Sequence, residues 1–420
     1  MRSETAKSAA RASARNLSFT AGRAPDVGRA IRRARYHARL FESTHDILST
    51  VVLYRRMPIE IESPEEMGYA TIACNLSESS IWDARLGNWT RGLEGLTLCY
   101  GEHRGAAALR ESVAALHAGV GPDDVLVVPG AAAALFIVNS ALLDSDSWML
   151  VVRPNYATNI ATPRLLKCAV HYLTLRFENH FELDLDEAAS RIAPGTRLIS
   201  VTYPHNPTGV VLDERRLQDL IDLTERHDCY LLVDETYRDL HRGPSAPLAA
   251  QLSRRAISVS SLSKAFGLPG IRMGWIICRN RELQNLFLAA KEQIFICNSV
   301  VDEEIARRVL DEREKLLSGI RARVAENYKV VSEWIAGEEL LEWVSPQGGV
   351  VCLPRMRTSL PVNTASFYET LLKDFATYVG PGHWFELSDR YFRLGYGWEP
   401  RDKLAAGLRN ISKALRKSLE

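Results

Sequence analysis

From about residue 104 the chain alternates between stretches with helical periodicity and short β-branched runs bounded by turn residues. That alternation predicts a parallel sheet covered by helices. The strand candidates are Val125–Pro129, Met149–Arg153, Val170–Leu175, Leu198–Tyr203, Tyr230–Asp234 and Ile257–Ser260. Between them, Asp213 to His227 sets Leu217, Leu220, Ile221 and Thr224 on one face and charges on the other, the pattern of a helix lying on that sheet, with Asp213 as its N-cap. The longest apolar stretch, Ala131–Leu143, is broken by Asn139 and Ser140 and falls short of the roughly 18 residues that cross a bilayer, so it reads as a buried helix. After Trp275 a long helical zone is expected. Near Trp343 the pattern changes to short strands and loops punctuated by Pro346, Gly348, Gly349, Pro354, Pro381 and Gly382, where a second, smaller domain begins.

A chain of 420 residues exceeds what one hydrophobic core usually organises, which fits a large α/β domain with a smaller companion. Lys plus Arg number 52 against 51 Asp plus Glu, a net charge of +1, so there is no global field to draw in nucleic acid or anionic lipid. A small-molecule enzyme is the expected class, with neither nucleic acid nor membrane as partner. The charge is uneven: residues 1–41 hold ten Lys or Arg against Glu4 and Asp26, about +8, and leave about −7 on the remainder. This arm reads as a flexible, solvated extension, although organelle transit peptides share its composition. The 7 cysteines are odd in number, scattered and without CxxC spacing, which implies free thiols in a reducing compartment and a cytoplasmic location. The 10 histidines form no HExxH or Cys/His cluster, and no metal is expected.

In open parallel sheets the loops leaving the carboxyl ends of the strands hold the ligand. After Leu198–Tyr203 comes Pro204-His205-Asn206-Pro207-Thr208-Gly209, and Tyr230–Asp234 ends on Asp234 with Tyr237 close behind. After Ile257–Ser260 comes Ser261-Leu262-Ser263-Lys264-Ala265-Phe266-Gly267-Leu268-Pro269-Gly270-Ile271-Arg272. One cofactor suits a lysine for an aldehyde, a carboxylate for a ring nitrogen, an amide and a phenol for a phenolate oxygen, and a guanidinium with hydroxyls for a phosphate. It is pyridoxal 5'-phosphate (PLP). The carboxylate keeps the pyridine nitrogen protonated, so that the ring accepts the electrons of a carbanion. Lys264 needs a depressed pKa to serve as nucleophile and proton shuttle. Each residue alone has an ordinary structural explanation; Asn206, Asp234, Lys264 and Arg272 together at the strand exits of one βα series do not.

On these motifs the chain resembles the fold-type I PLP-dependent aminotransferases of class I/II over about residues 70–420. The resemblance implies an α/β architecture: a large domain whose mostly parallel seven-stranded sheet lies between helices, plus a smaller α+β domain. Residues 42–90 would be the N-terminal part of the small domain with a substrate loop, 91–320 the large cofactor-binding domain and 321–420 the C-terminal small domain. It also implies that Lys264 is the Schiff-base lysine, Asp234 the pyridine-nitrogen partner, and Asn206 and Tyr237 the donors to the ring oxygen. Arg272, Ser261 and Ser263 would bind the phosphate, with the amides of Gly130, Ala131 and Ala132 at a helix N-terminus. Tyr156 of Pro154-Asn155-Tyr156 matches the aromatic that stacks on the cofactor. Tyr100 of Tyr100-Gly101-Glu102-His103-Arg104-Gly105 matches the tyrosine that reaches a neighbour's phosphate, which implies a homodimer. Arg393 of Phe392-Arg393-Leu394 would grip the substrate α-carboxylate in a two-bond fork, beside Asn206.

Two departures stand out. Alanines occupy Ala132 and Ala133, where the family commonly has a polar residue and then an acid, so the phosphate would rely on backbone amides there. Asn75-Leu76-Ser77-Glu78-Ser79-Ser80 replaces a glycine-rich substrate loop and is similar to a segment of 1-aminocyclopropane-1-carboxylate synthases and capreomycidine synthase-like enzymes. Glu78 in the pocket would suit a cationic substrate; it reads equally as an exposed or helix-capping glutamate. The expected activity is amino acid transamination. The alternative is a PLP-dependent lyase or cyclase performing β/γ-elimination or replacement on a specialised amino acid such as S-adenosylmethionine or an arginine derivative.

Overall fold

A computed structural model describes residues 54–419, and the basic arm lies outside them. The central feature is a seven-stranded sheet of β2 (Val125–Val128), β3 (Trp148–Arg153), β4 (Ala169–Thr174), β5 (Thr196–Thr202), β6 (Tyr230–Asp234), β7 (Ala256–Ser261) and β8 (Gly274–Ile277), in the order β2-β8-β7-β6-β5-β3-β4. The neighbours from β7 through β4 pair in parallel, and β8 alone runs against the rest. The sheet is therefore mostly parallel and seven-stranded, as expected. The expectation of helix from Trp275 onward needs correction: Trp275 lies within β8, and the helix starts at Arg281. A fully buried four-residue strand has no polar alternation to mark it.

Successive residues of these strands feed opposite cores. Leu231 and Val233 of β6 pack with Leu217, Leu220 and Ile221 of the helix Glu214–Arg226, whereas Leu232 packs with Leu135 and Val138 of the helix Gly130–Leu142 and with Phe287. A parallel sheet buried on both faces needs apolar residues at every position, hence the continuous β-branched runs. Asp213 caps its helix by accepting the Arg216 amide at 2.7 Å.

The C-terminal part is built differently. Here β14 (Phe392–Gly395) lies between β10 (Val351–Cys352) and β13 (Gly380–Pro381), flanked by the helices Thr364–Lys373 and Arg401–Lys417. The early strand β1 (Cys74–Asn75) pairs in parallel with β12 (Thr377–Tyr378), and β9 (Leu341–Glu342) pairs with β11 (Arg355–Met356) in antiparallel fashion. Beyond β1 the chain is stitched to both parts of the molecule: Gly395 N donates to Leu76 O at 2.7 Å and Ala84 N to Gly267 O at 2.8 Å. That stitching brings residues 75–82 against the strand exits of the large sheet. No helix among the described residues is long and apolar enough to cross a membrane.

Candidate active site

The carboxyl ends of β2, β3, β5, β6 and β7 deliver their following residues to one place. Asp234 ends β6 and is 6% exposed. Its Oδ1 accepts the Thr236 amide at 3.1 Å and the Thr236 hydroxyl at 2.6 Å. Burial raises the pKa of this carboxyl, while hydrogen bonds from Thr236 and Asn159 and the Lys264 charge oppose the rise. Lys264 follows β7, and its Nζ donates to Ser79 Oγ at 3.0 Å. Desolvation lowers its pKa, Glu78 pulls it back up, and Arg393 lowers it further. An amine in that position is readily neutral, as a nucleophile or base must be.

Arg393 projects from β14 and is 4% exposed. Its Nη1 donates to Asn206 Oδ1 at 3.2 Å and its Nη2 to Ser77 O at 2.7 Å. Its Nε is buried without a partner, and the guanidinium lies over the rings of Phe385 and Trp384 at 5.3 and 5.6 Å. A buried guanidinium with a spare donor and no carboxylate partner among the described residues is ready for an anion. Tyr237 donates its hydroxyl to Ser79 O at 2.5 Å. Tyr156 donates to Glu60 Oε1 at 3.3 Å, and burial beside that acid pushes its phenol up to about 12.

Glu78 is half-buried and caps no helix. Burial raises its pKa, Lys264 and Arg393 lower it, and Glu65 and Asp83 add to the rise. Glu60 and Glu65, which the sequence left unmarked, also act on the Lys264 amine. The segment carrying them is fastened by Glu62, which accepts from Trp384 Nε1 at 2.8 Å and pairs with His383 Nε2 at 2.8 Å. No local signal marks these glutamates, because the contacts span some two hundred residues of chain. Thr236 was legible in hindsight, since Asp-x-Thr at a strand end is a side-chain turn.

At the other end of the cleft, Gly130 opens its helix with φ +84°. A Cβ there would lie 2.6 Å from Arg272 Nη2. Arg272 donates from Nη1 to Pro269 O at 3.0 Å and to Ser263 Oγ at 3.5 Å, and Ser263 N lies 3.4 Å from Ser261 Oγ. Arg272 has no carboxylate partner among the described residues. The first-turn amides of Gly130, Ala131 and Ala132 thus meet a guanidinium and two hydroxyls, a donor set suited to a phosphate dianion. Tyr100 stands apart from the cluster, 82% exposed.

A family model described as "Aminotransferase class I and II" matches residues 85–406. The chain belongs to this family. Class I/II members use PLP, and the residues present fit it: a buried carboxylate, a desolvated lysine and an anion cradle converge at the strand ends. Capreomycidine synthase from Streptomyces vinaceus is 31% identical over 78% of this chain and 83% of its own. An arginine–pyruvate transaminase from Pseudomonas aeruginosa is 28% identical over 72% and 79%. Among solved structures, a PLP-dependent aminotransferase from Streptococcus suis superposes with a TM-score of 0.79 at 27% identity, covering 84% of this chain and 96% of that one. The PLP-dependent cyclase OrfR superposes with 0.77 at 28% identity, covering 88% and 100%. The protein is a PLP-dependent enzyme of the fold-type I aminotransferase family, whose relatives include both transaminases and cyclases.

Proposed function

We propose that the protein is an aminotransferase for an amino acid with a cationic side chain, of the arginine type. The observation that carries this reading is Glu78, a half-buried carboxyl in the segment whose Ser77 and Ser79 touch Arg393 and Lys264, and which feels the charge of both. When bound, PLP supplies an aldehyde for amines and a protonated ring that takes up electron density from the substrate Cα. Lys264 would hold the cofactor covalently, and once the substrate amine had displaced it, the freed Nζ would take the proton from Cα and later return one. Asp234 would meet the ring nitrogen, Asn206 and Tyr237 would serve the ring oxygen, and Tyr156 would stack on the ring. Gly130, Ala131, Ala132, Ser261, Ser263 and Arg272 would hold the phosphate. Arg393, with Asn206, fixes the α-carboxylate and so orients the Cα–H bond. Tyr100 serves the phosphate of a second copy in a homodimer. The seven free cysteines suit a reducing, cytoplasmic setting.

Burial raises the Glu78 pKa and so disfavours its charge, and a guanidinium brought into the pocket with the substrate would favour the charged form. The site would then discriminate by charge as well as by shape. Incubation with L-arginine and pyruvate should yield the 2-oxo acid of arginine and alanine. Glu78→Gln should lower kcat/KM for arginine by about tenfold or more relative to leucine, the value of one charge-assisted contact. Equal loss on both substrates would remove the charge argument.

The 31% identity to a capreomycidine synthase and the superposition on OrfR favour a second reading, elimination or cyclisation on an arginine derivative. Mass spectrometry separates the two: transamination consumes the oxo acid acceptor, whereas cyclisation proceeds without one.

A further inference from the structure

Ser79 receives two hydrogen bonds from the cleft that the roles above leave unexplained. Its Oγ accepts from Lys264 Nζ at 3.0 Å, and its backbone O accepts the Tyr237 hydroxyl at 2.5 Å. Ser79 is 6% exposed, and a hydroxyl taken out of water costs free energy unless it is hydrogen-bonded. Among the described residues Lys264 Nζ is the partner that its Oγ has. The lysine is gripped at both ends by one short stretch of chain, because Ile81 N donates to Lys264 O at 3.3 Å. Ser77 O, two residues before Ser79, accepts from Arg393 Nη2 at 2.7 Å. Alternate residues 77, 79 and 81 thus turn toward the strand exits, and the bonds of Leu76 O to Gly395 N and of Ala84 N to Gly267 O fix the register of the stretch from both sides.

The partner of the amine is a hydroxyl rather than a carboxylate. A carboxylate would hold the amine as an ammonium, which has no lone pair to give. A hydroxyl also accepts an N–H from the neutral amine and leaves the nitrogen lone pair free. This bond belongs to the free lysine. When Lys264 condenses with an aldehyde, a nitrogen–carbon bond forms and water leaves with the aldehyde oxygen and both hydrogens of the neutral amine. The neutral imine nitrogen then has no N–H to offer Ser79. When a substrate amine takes over the aldehyde carbon, Nζ recovers the two hydrogens that the incoming amine gives up, and Ser79 can hold it again.

We propose that Ser79 is a positioning residue that receives the released amine of Lys264, stabilising the free lysine against the covalently engaged one and so favouring transfer of the cofactor from lysine to substrate. The inference rests on Lys264 being the Schiff-base lysine. The hydroxyl holds the freed Nζ at the strand exits, where a proton acceptor for the substrate Cα is needed.

The test is an equilibrium titration of the full-length protein freed of cofactor, followed by visible absorption and tryptophan fluorescence. The two probes are PLP and pyridoxamine 5'-phosphate, which has the same ring and phosphate but no aldehyde. Ser79→Ala should bind PLP about two- to tenfold more tightly than the wild type, the worth of one hydrogen bond lost from the free amine. Its affinity for pyridoxamine 5'-phosphate should be unchanged, since the lysine stays free with that probe. Ser79→Thr, which keeps the hydroxyl, should match the wild type. In a Lys264→Ala background, adding Ser79→Ala should change neither affinity. A residue that merely shapes the segment would weaken both ligands. Unchanged or weaker PLP binding by Ser79→Ala, a gain that survives in Lys264→Ala, or a Ser79→Thr that behaves like Ser79→Ala overturns the proposal. Should Ser79→Ala fail to fold, Ser79→Gly takes its place with the same outcomes. If Lys264→Ala still develops the visible band with PLP, the Schiff-base assignment is what fails, a signature distinct from each of these.

Discussion

Gly130→Ala tests the phosphate end of the site with two separable costs. The φ of +84° at Gly130 is a region that an L-residue enters at about 1–2 kcal/mol, a penalty felt in stability. The second cost is steric and local. The new Cβ would sit 2.6 Å from Arg272 Nη2, closer than real Cβ contacts come, and 3.2 Å from its Cζ, tighter than most. Arg272 must swing away, because only Nη1 is tethered, to Pro269 O and Ser263 Oγ. Losing one charge-assisted contact to the phosphate costs about 1.5–3 kcal/mol, which is about 10- to 150-fold in PLP affinity. Equilibrium titration of apo-protein with PLP reads the second cost, and calorimetric melting reads the first. Gly319→Ala is the control. Gly319 lies inside the helix Arg313–Ala336 with nothing within 4 Å of a built Cβ. Alanine there should stabilise by about 0.5–1 kcal/mol and leave PLP affinity unchanged. If Gly130→Ala binds PLP within about twofold of wild type, the cradle of Gly130 and Arg272 is not the phosphate site, whatever happens to stability.

Lys264→Ala should lose the visible absorption band of the holoenzyme and at least about 10³-fold in turnover; a yellow, active variant would overturn its assignment. His383, hydrogen-bonded to Asp389 and Glu62, is raised from 6.5 to about 10. A raised folded pKa stabilises fully below 6.5 and less as pH climbs toward 10, and the partial exposure of these pairs makes the effect sensitive to salt. The wild-type melting temperature should therefore fall more steeply between pH 7 and 10 than that of His383→Gln, and parallel slopes would show that the pairs do not fasten the Glu62 segment.

What the chain revealed in advance and what it hid divide along one physical line. Lys264, Asp234, Asn206 and Arg272 were legible because each follows its strand by a few residues, and the topology of a parallel sheet gathers strand exits without any tertiary detail. Glu60 and Glu65 were not, since they sit in a segment with Pro58 and Pro64 that looks like ordinary solvated surface, and only the pairing of β1 with β12 and the Glu62 contacts carry them to the Lys264 amine. Asn159 was hidden for a different reason: an asparagine in the first turn of a helix reads as a local capping residue, and its partners Asn155 and Thr202 lie outside its helix. The same logic explains Gly274–Ile277, whose four residues are buried on both faces between β2 and β7; periodicity carries no information when every position points into a core. On the proposed reading, the residues of this chain that would meet the cofactor are encoded locally, at strand ends. Those that set charge and orientation around them are encoded by the fold, which is why substrate choice in this chain has to be sought at Glu78, Glu60 and Glu65 rather than in the cofactor motifs.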